Sequence, residues 1–570
     1  MKVSDYITKF LIERDVNKCF SVTGGFAMHF NDSFGEHMNV TYTHGEQTAG
    51  YAALGWSSYE HNPSVCCVTS GCGATNAITP CLIAYQDSVP VFFISGQVHK
   101  NDNIRTRGGK IRGYFGSDCD IIEAVKGMTK VAFEMTDPSQ IRMILEECYH
   151  NLTTGRLGPV WLSVPVDVQS MQVPEILCKW IPPQNDSVSV FPQEFLDVWS
   201  KSERPIVLAG NGIHLSKTKE KFRTFLEYHR LPYVVSFFGS DLGDDYTGKV
   251  GLIGNRSGNF AIQNADLILC LGSRMCKSIT GYKRELFARE AKIVYLDIDS
   301  TEIIEDKKLD VTLHMDLKTF FKLELPKLQN IDTNWIEKNK YWKNLWCDEM
   351  PEKNGELVCP YRHLHTFFKE KCNKSIVTMS SGSIYCVGWH MYKYKEGDRF
   401  ITSGHGDMGY EISTALGASF HSKRTWAIVG DGSFHYNIQD LQTIRQNNLP
   451  VTIIVFNNGG YGAIKITQNT VFKREFGTSQ TSDLTFCDIE KVSNAFDIPY
   501  YKVEEDEDVN YLSHVNGPMI VEVVCNLQGR YPRLSNKPQP DGSFKNMPYE
   551  EMAPFLDDAF LKENMFVSRV

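Results

Sequence analysis

Short apolar runs recur along the chain, and each ends abruptly in glycine and small polar residues. Thr425-Trp-Ala-Ile-Val429 runs into Gly430-Asp-Gly-Ser-Phe434, and Leu449-Pro-Val-Thr-Ile-Ile-Val-Phe456 runs into Asn457-Asn-Gly-Gly460. The form repeats at Gly158–Val168, Arg204–Gly212, Ala265–Arg274 and Ala291–Asp299. Apolar runs without polar alternation predict strands buried on both faces, as in parallel sheets covered by helices. The N-terminal stretch MKVSDYITKFLIERDV reads as a first amphipathic helix. The pattern predicts an α/β protein of three doubly wound parallel-sheet domains, at about 1–175, 193–330 and 356–550, with a tail to 570. A loop rich in Pro, Gln and Ser near 180–192 reads as a linker, and the charged, tryptophan-bearing stretch 334–355 as a helical connector.

Composition narrows the function classes. A chain of 570 residues exceeds what one core supports. A net charge of −9 without a basic run argues against a nucleic-acid partner. No apolar stretch reaches the ~18 residues of a membrane span, and the charged N-terminus lacks the apolar core of a signal peptide. The 16 cysteines fall mostly within apolar runs, with no CxxC metal spacing, so they read as buried thiols of a reducing, cytoplasmic compartment.

The chemistry lies at the strand ends, where α/β folds hold ligands. Asp431 offers a carboxylate, Asn458 an amide oxygen and Gly460 a backbone carbonyl. Such hard oxygen donors suit Mg²⁺ that shares its shell with phosphate. The two clusters, in this order and with Asn458 27 residues after Asp431, resemble the thiamine-diphosphate motif of the pyruvate decarboxylase and acetolactate synthase superfamily. The resemblance implies thiamine diphosphate and Mg²⁺ as cofactors, with Asp431, Asn458 and Gly460 as metal ligands. It places Gly430, Gly432, Ser433, Tyr461, Gly382 and Ser383 on the cofactor as well.

Further matches run the length of the chain. Thr43-His-Gly-Glu46-Gln-Thr-Ala resembles the segment carrying the carboxylate that exchanges a proton with the aminopyrimidine ring, which makes Glu46 that group. Thr69-Ser-Gly-Cys-Gly-Ala-Thr-Asn76 resembles the family's TSGPGATN loop, with Cys72 in place of proline. Ala84-Tyr-Gln-Asp-Ser-Val-Pro90 and Ile94-Ser-Gly-Gln-Val98 resemble its AYxDSxP and SGQ segments. Ser403-Gly-His-Gly406-Asp407-Met408-Gly409-Tyr410 resembles the stretch that bends the cofactor: Met408 matches the apolar wedge, Gly406 the carbonyl acceptor for the amino group, and Asp407 lies between them. The three domains thereby correspond to the pyrimidine-binding, central and diphosphate-binding domains. The resemblance implies that the first and third are related folds, and that Glu46 and the Asp431 cluster of one active site come from different chains. A homodimer or homotetramer with sites at the interface follows.

Two questions stay open in the sequence. Gly272-Ser-Arg274 and Asp297-Ile-Asp299 resemble acetolactate synthase segments that lie along FAD, while many relatives keep this domain without a nucleotide. The reaction branch is the second. Aldehyde-releasing decarboxylases of the family carry an acid after the first glycine turn, a His-His pair and a glutamate after Asn-Asn. This chain has Gly25, His99-Lys100 and Ile464 there. That favours a carboligase passing the acyl unit of a 2-oxo acid, pyruvate first, to a carbonyl acceptor, with a non-oxidative decarboxylase or an oxidase as alternatives. The segments Val22–Asp32, Tyr461–Gln468 and Tyr531–Gly542 resemble acetolactate synthase-like proteins of surface-polysaccharide sugar pathways, some of which use a keto sugar as acceptor. His29, just beyond the first glycine turn, is a candidate donor to substrate, with His44, Tyr461 and Gln468 behind it.

Overall fold

The computed structural model describes every residue except 109–110, 184–189, 305–306, 513–516, 527–528, 535, 539–543 and 570. Residues 184–189 of the linker near 180–192 and part of the tail motif thus lie outside the described residues.

Seventeen strands form three wholly parallel sheets. The first holds β1 (Lys18–Ser21), β2 (Asn39–Tyr42), β3 (Ser64–Val68), β4 (Val91–Gln97), β5 (Ala132–Glu134) and β6 (Val160–Pro165), in spatial order 2-1-3-4-6-5. The second holds β7 (Pro205–Ala209), β8 (Tyr233–Val235), β9 (Leu267–Leu271), β10 (Lys292–Asp297) and β11 (Val311–His314), in order 11-10-9-7-8. The third holds β12 (Ile376–Thr378), β13 (Arg399–Ile401), β14 (Thr425–Gly430), β15 (Val451–Asn457), β16 (Tyr500–Val503) and β17 (Met519–Val524), in order 13-12-14-15-17-16. Counted from its own first strand, the third sheet repeats the strand order of the first, a relation invisible in the sequence by eye. The apolar runs become strands buried along nearly their whole length, as at β3, β4 and β15.

In each sheet the strand order reverses between the first and third strands, and ligands of open α/β sheets sit at that switch point. The three switch points carry Ser21–Gly25 with Thr69–Asn76, Gly210–Gly212 with Gly272–Arg274, and Ser380–Gly382 with Gly430–Ser433.

The first and third domains share one apolar core, which joins Phe20, Tyr51 and Phe93 to Tyr410, Val429 and Ile453. Its seam is the crossing of helix Glu46–Glu60 over helix Tyr410–Ala418. A Cβ on Gly417 would lie 1.8 Å from the Ala52 carbonyl oxygen, and one on Gly55 2.2 Å from that of Thr414. Only glycine permits that backbone approach.

The central sheet buries separate cores on its two faces. The connector forms a helix over Thr333–Leu345 only, with Trp335 and Trp342 buried against this domain. The C-terminal tail also docks here: Glu550 accepts hydrogen bonds from Gln263 (2.6 Å) and Arg289 (2.8 Å), and Leu561 enters the same core as Trp342. All sixteen cysteines are free, ten of them buried. No described helix is long and apolar enough to cross a membrane.

Candidate active site

The third switch point gathers four segments. Gly430 ends β14 and Asp431 opens the short helix Asp431–Phe434. Asp431 is buried; its Oδ1 accepts the Gly432 N–H and its Oδ2 the Gly460 N–H, both at 2.8 Å. Burial pushes its carboxyl above the usual range, opposed by those backbone donors. Asn458, at the end of β15, carries a buried Oδ1 with no hydrogen-bond partner. A buried amide oxygen left unpaired is costly unless a ligand meets it. Gly460 adopts φ +150°, and a Cβ there would lie 2.0 Å from the Thr478 carbonyl oxygen. The Tyr461 ring packs on Gly432, where a Cβ would stand 2.3 Å from it. Among the described residues no group of three His, Cys, Asp or Glu side chains gathers. The donor set here is instead one carboxylate, one side-chain amide and one peptide carbonyl, which fits a small hard cation that completes its shell with phosphate.

The loop after β13 lies beside this cluster. Gly406 and Gly409 take left-handed φ of +71° and +83° and hold Asp407 and Met408 between them. Met408 is half-buried, and the Asp407 carboxylate accepts from Ser380 Oγ at 3.1 Å. Gly409 N–H donates to Ser433 Oγ at 2.9 Å. Helix Gly382–Met391 starts at the same place, its first residue at φ +75° and Ser383 half-buried beside it.

The first switch point assembles a second half-site. Glu46 begins its helix and accepts from Asn76 Nδ2 at 3.0 Å. A Cβ on Gly73 would be 3.3 Å from Glu46 Oε1, and Thr69 packs on both Gly73 and Gly24. The carboxylate, the Thr69–Asn76 loop and the first glycine turn therefore meet. Gly25 is exposed, and a Cβ added there would meet nothing within 4 Å. His29 is half-buried in the first turn of helix Met28–His37. His44 reaches the third domain through its backbone N–H, which donates to Asp440 at 2.8 Å. Gln468 is held by the backbone of Phe476, accepting from its N–H at 2.7 Å.

Comparison with known proteins bears on both halves at once. Residues 1–124 match the thiamine pyrophosphate enzyme N-terminal TPP binding domain, 193–323 the central domain, and 380–523 the C-terminal TPP binding domain. The chain belongs to the thiamine pyrophosphate enzymes. Thiamine pyrophosphate is thiamine diphosphate by its other name. Acetolactate synthases are among the proteins the chain is similar to. It is 29% identical to acetolactate synthase 3, chloroplastic, of Brassica napus, over 92% of this chain and 83% of that protein. It is 29% identical to the acetolactate synthase large subunit of Corynebacterium glutamicum, over 83% and 78%. It is 27% identical to a probable acetolactate synthase large subunit of Methanocaldococcus jannaschii, over 99% and 100%.

One feature of this thiamine pyrophosphate enzyme escapes sequence reasoning: Glu411, fully buried, sits among the cofactor-side segments, and burial pushes its carboxyl up to about 7. The segments that resemble those along FAD line a cavity of about 1090 Å³ at the central switch point, which holds Gly212, Gly272, Arg274 and Asp297 and reaches Asp87 of the first domain and His405 of the third. Gly210 and Gly212 themselves pack against Gly272, with Cβ positions 2.4 and 2.5 Å from its backbone. Those glycines thus serve turn-to-turn contact as well as any ligand.

Proposed function

We propose that the chain decarboxylates a 2-oxo acid, pyruvate first, and transfers the acyl unit to a carbonyl acceptor such as a keto sugar, using thiamine diphosphate and Mg²⁺. The observation that carries the cofactor reading is the unpaired, buried Asn458 Oδ1 beside buried Asp431 at two adjacent strand ends. In this reading Asp431, Asn458 and the Gly460 carbonyl hold Mg²⁺, and Gly430, Gly432, Ser433, Tyr461, Gly382 and Ser383 surround the diphosphate. Bound thiamine diphosphate supplies the acyl-anion equivalent that a decarboxylation and a ligation both require. Glu46 holds the proton exchanged with the aminopyrimidine ring, the Gly406 carbonyl orients the amino group, and half-buried Met408 is the wedge beneath the two rings. His29, beside the open Gly25 turn, is the proposed donor to substrate oxygen.

Ligation rather than aldehyde release is supported by what stands at the three protonating positions: Gly25 has no side chain, His99 is single and exposed, and Ile464 is apolar and exposed. The cytoplasm is the proposed compartment. A homodimer or homotetramer is supported by large apolar side chains exposed on both half-sites: Met28 and Phe115 in the first domain, and Val471, Phe472 and Phe476 in the third. The central cavity lies where the resemblance places FAD, and its size suits a dinucleotide. The absorbance spectrum of the purified protein tests that assignment.

The reaction is tested by CO₂ release from pyruvate with and without a keto sugar or excess pyruvate, with products read by mass spectrometry. The expected result is a rate that rises with acceptor and a product longer by the two acetyl carbons. Stoichiometric acetaldehyde at full rate without acceptor overturns the carboligase reading.

A further inference from the structure

Helix Gly382–Met391 begins on the cofactor side, and Ser381 stands at its N-cap position. A serine there ordinarily turns its hydroxyl back onto the first free N–H groups of its helix. Ser381 makes no such cap. Its Oγ donates instead to Glu411 Oε1 at 2.7 Å, and its backbone N–H donates to the same oxygen at 2.9 Å. The other carboxylate oxygen, Glu411 Oε2, accepts from Ser433 Oγ at 2.8 Å, and Ser433 Oγ in turn accepts the Gly409 N–H at 2.9 Å. Thr378 Oγ1 anchors the backbone of Glu411 by donating to its carbonyl at 2.8 Å. One wholly buried side chain therefore ties the turn after β12, the loop holding Met408 and the Gly430–Ser433 turn, and it occupies the Ser381 and Ser433 hydroxyls.

We infer that Glu411 is a positioning residue for the cofactor: by holding the Ser381 and Ser433 hydroxyls, it leaves the N–H groups at the start of helix Gly382–Met391 open to the diphosphate and fixes the Met408 loop above it. Uncapped helix N-termini are anion seats, and a hydroxyl cap would compete with the phosphate oxygens. The inference rests on the thiamine diphosphate reading given above and adds a residue to it. Glu411 touches no reacting atom in this account; it acts through the two serines.

The test compares wild type with Glu411→Gln, Ser433→Ala and the double variant, by titrating each apoprotein with thiamine diphosphate in excess Mg²⁺ in a calorimeter and by recording each apoprotein's thermal midpoint. Glu411→Gln keeps the size and the Ser381 bonds but sets an amide N–H₂ against Ser433. The expected result is a cofactor Kd raised about ten- to a hundredfold, the range for losing one charged hydrogen bond, with little change in the apoprotein midpoint. The double variant should bind no worse than the weaker single one, because both substitutions break one chain of bonds. An unchanged Kd, or losses in the singles that simply add, overturns the inference. Should Glu411→Gln not fold, Ser381→Ala removes one bond from the other side, and an unchanged Kd there overturns it equally. A wild type that binds no thiamine diphosphate overturns the functional reading itself, and is told apart from the other outcomes by that measurement alone.

Discussion

The Gly460 N–H donates to Asp431 Oδ2 at 2.8 Å, so the ends of two neighbouring strands are fastened through the carboxylate that the cofactor reading gives to Mg²⁺. Asp431→Ala removes the only charge in the proposed donor set. Mg²⁺-dependent binding of thiamine diphosphate should fall by more than about a hundredfold, since stranding a buried charge costs about 3 kcal/mol or more. The fold should persist, because strands β14 and β15 pair along their whole length. Calorimetric titration of the variant checks this; tight binding would remove Asp431 from the metal site.

Glu46→Gln preserves shape and the contact with Asn76, which can pair with an amide as well as with a carboxylate. It removes the carboxyl that is to exchange a proton with the aminopyrimidine. Cofactor affinity should change little. Exchange of the thiazolium C2 proton, followed by NMR in D₂O, should slow by more than the ~10²–10⁴ typical of one acid–base group, because every later step depends on it. Near-normal exchange would assign the role to another residue.

What was legible in the sequence was what short-range pattern encodes. The apolar runs before Gly430 and Asn457 announce buried parallel strands, and their polar ends mark the ligand side, so Asp431 and Asn458 stand out from the sequence alone. Glu411 does not. Tyr410-Glu-Ile-Ser reads as a charged residue on an ordinary helix, and its burial follows from partners 30 positions before it and 22 after it. The Gly417–Ala52 contact was hidden for the same reason: glycine in a helix looks like a weak helix former until another backbone is found against it. The tail that carries Glu550 gave no sign that it crosses to the central domain, since a single acid does not disclose a partner as remote as Gln263.

Gly417→Ala tests the seam between the first and third domains. The added Cβ would fall 1.8 Å from the Ala52 carbonyl oxygen, a backbone atom that no rotamer change can move. The two helices would have to part. We expect a loss of about 3 kcal/mol, at the upper end of overpacking costs, read as a thermal midpoint lower by several degrees in the apoprotein. A variant as stable as wild type would show that the crossing is not close-packed in solution. Gly25→Ala, at an open position, serves as the control and should leave the midpoint in place.

Asp87, from the segment resembling AYxDSxP, is buried beneath the Met408 loop: Oδ2 accepts the Gly404 N–H at 3.3 Å, and Oδ1 has no partner. Burial is the main cause that pushes its carboxyl up to about 7 from an ordinary 3.8; the nearby Arg274 opposes the shift. A carboxyl raised on folding binds its proton more tightly in the native state than in the unfolded chain, so native stability falls as pH rises between the two values. The stabilising contribution is complete below pH 3.8 and lost as pH passes through about 7. Asp87→Asn imitates the protonated form at every pH. Its stability relative to wild type should therefore be lowest in acid and should rise through neutrality, by a few kcal/mol at most for a shift of this size. Paired thermal or urea unfolding of the two apoproteins across about pH 5 to 8.5 checks the sign. A stability difference that stays flat over that range, or moves in favour of wild type as pH rises, would mean that Asp87 is ionised in the native protein and that its unpaired oxygen is met by a donor from solvent.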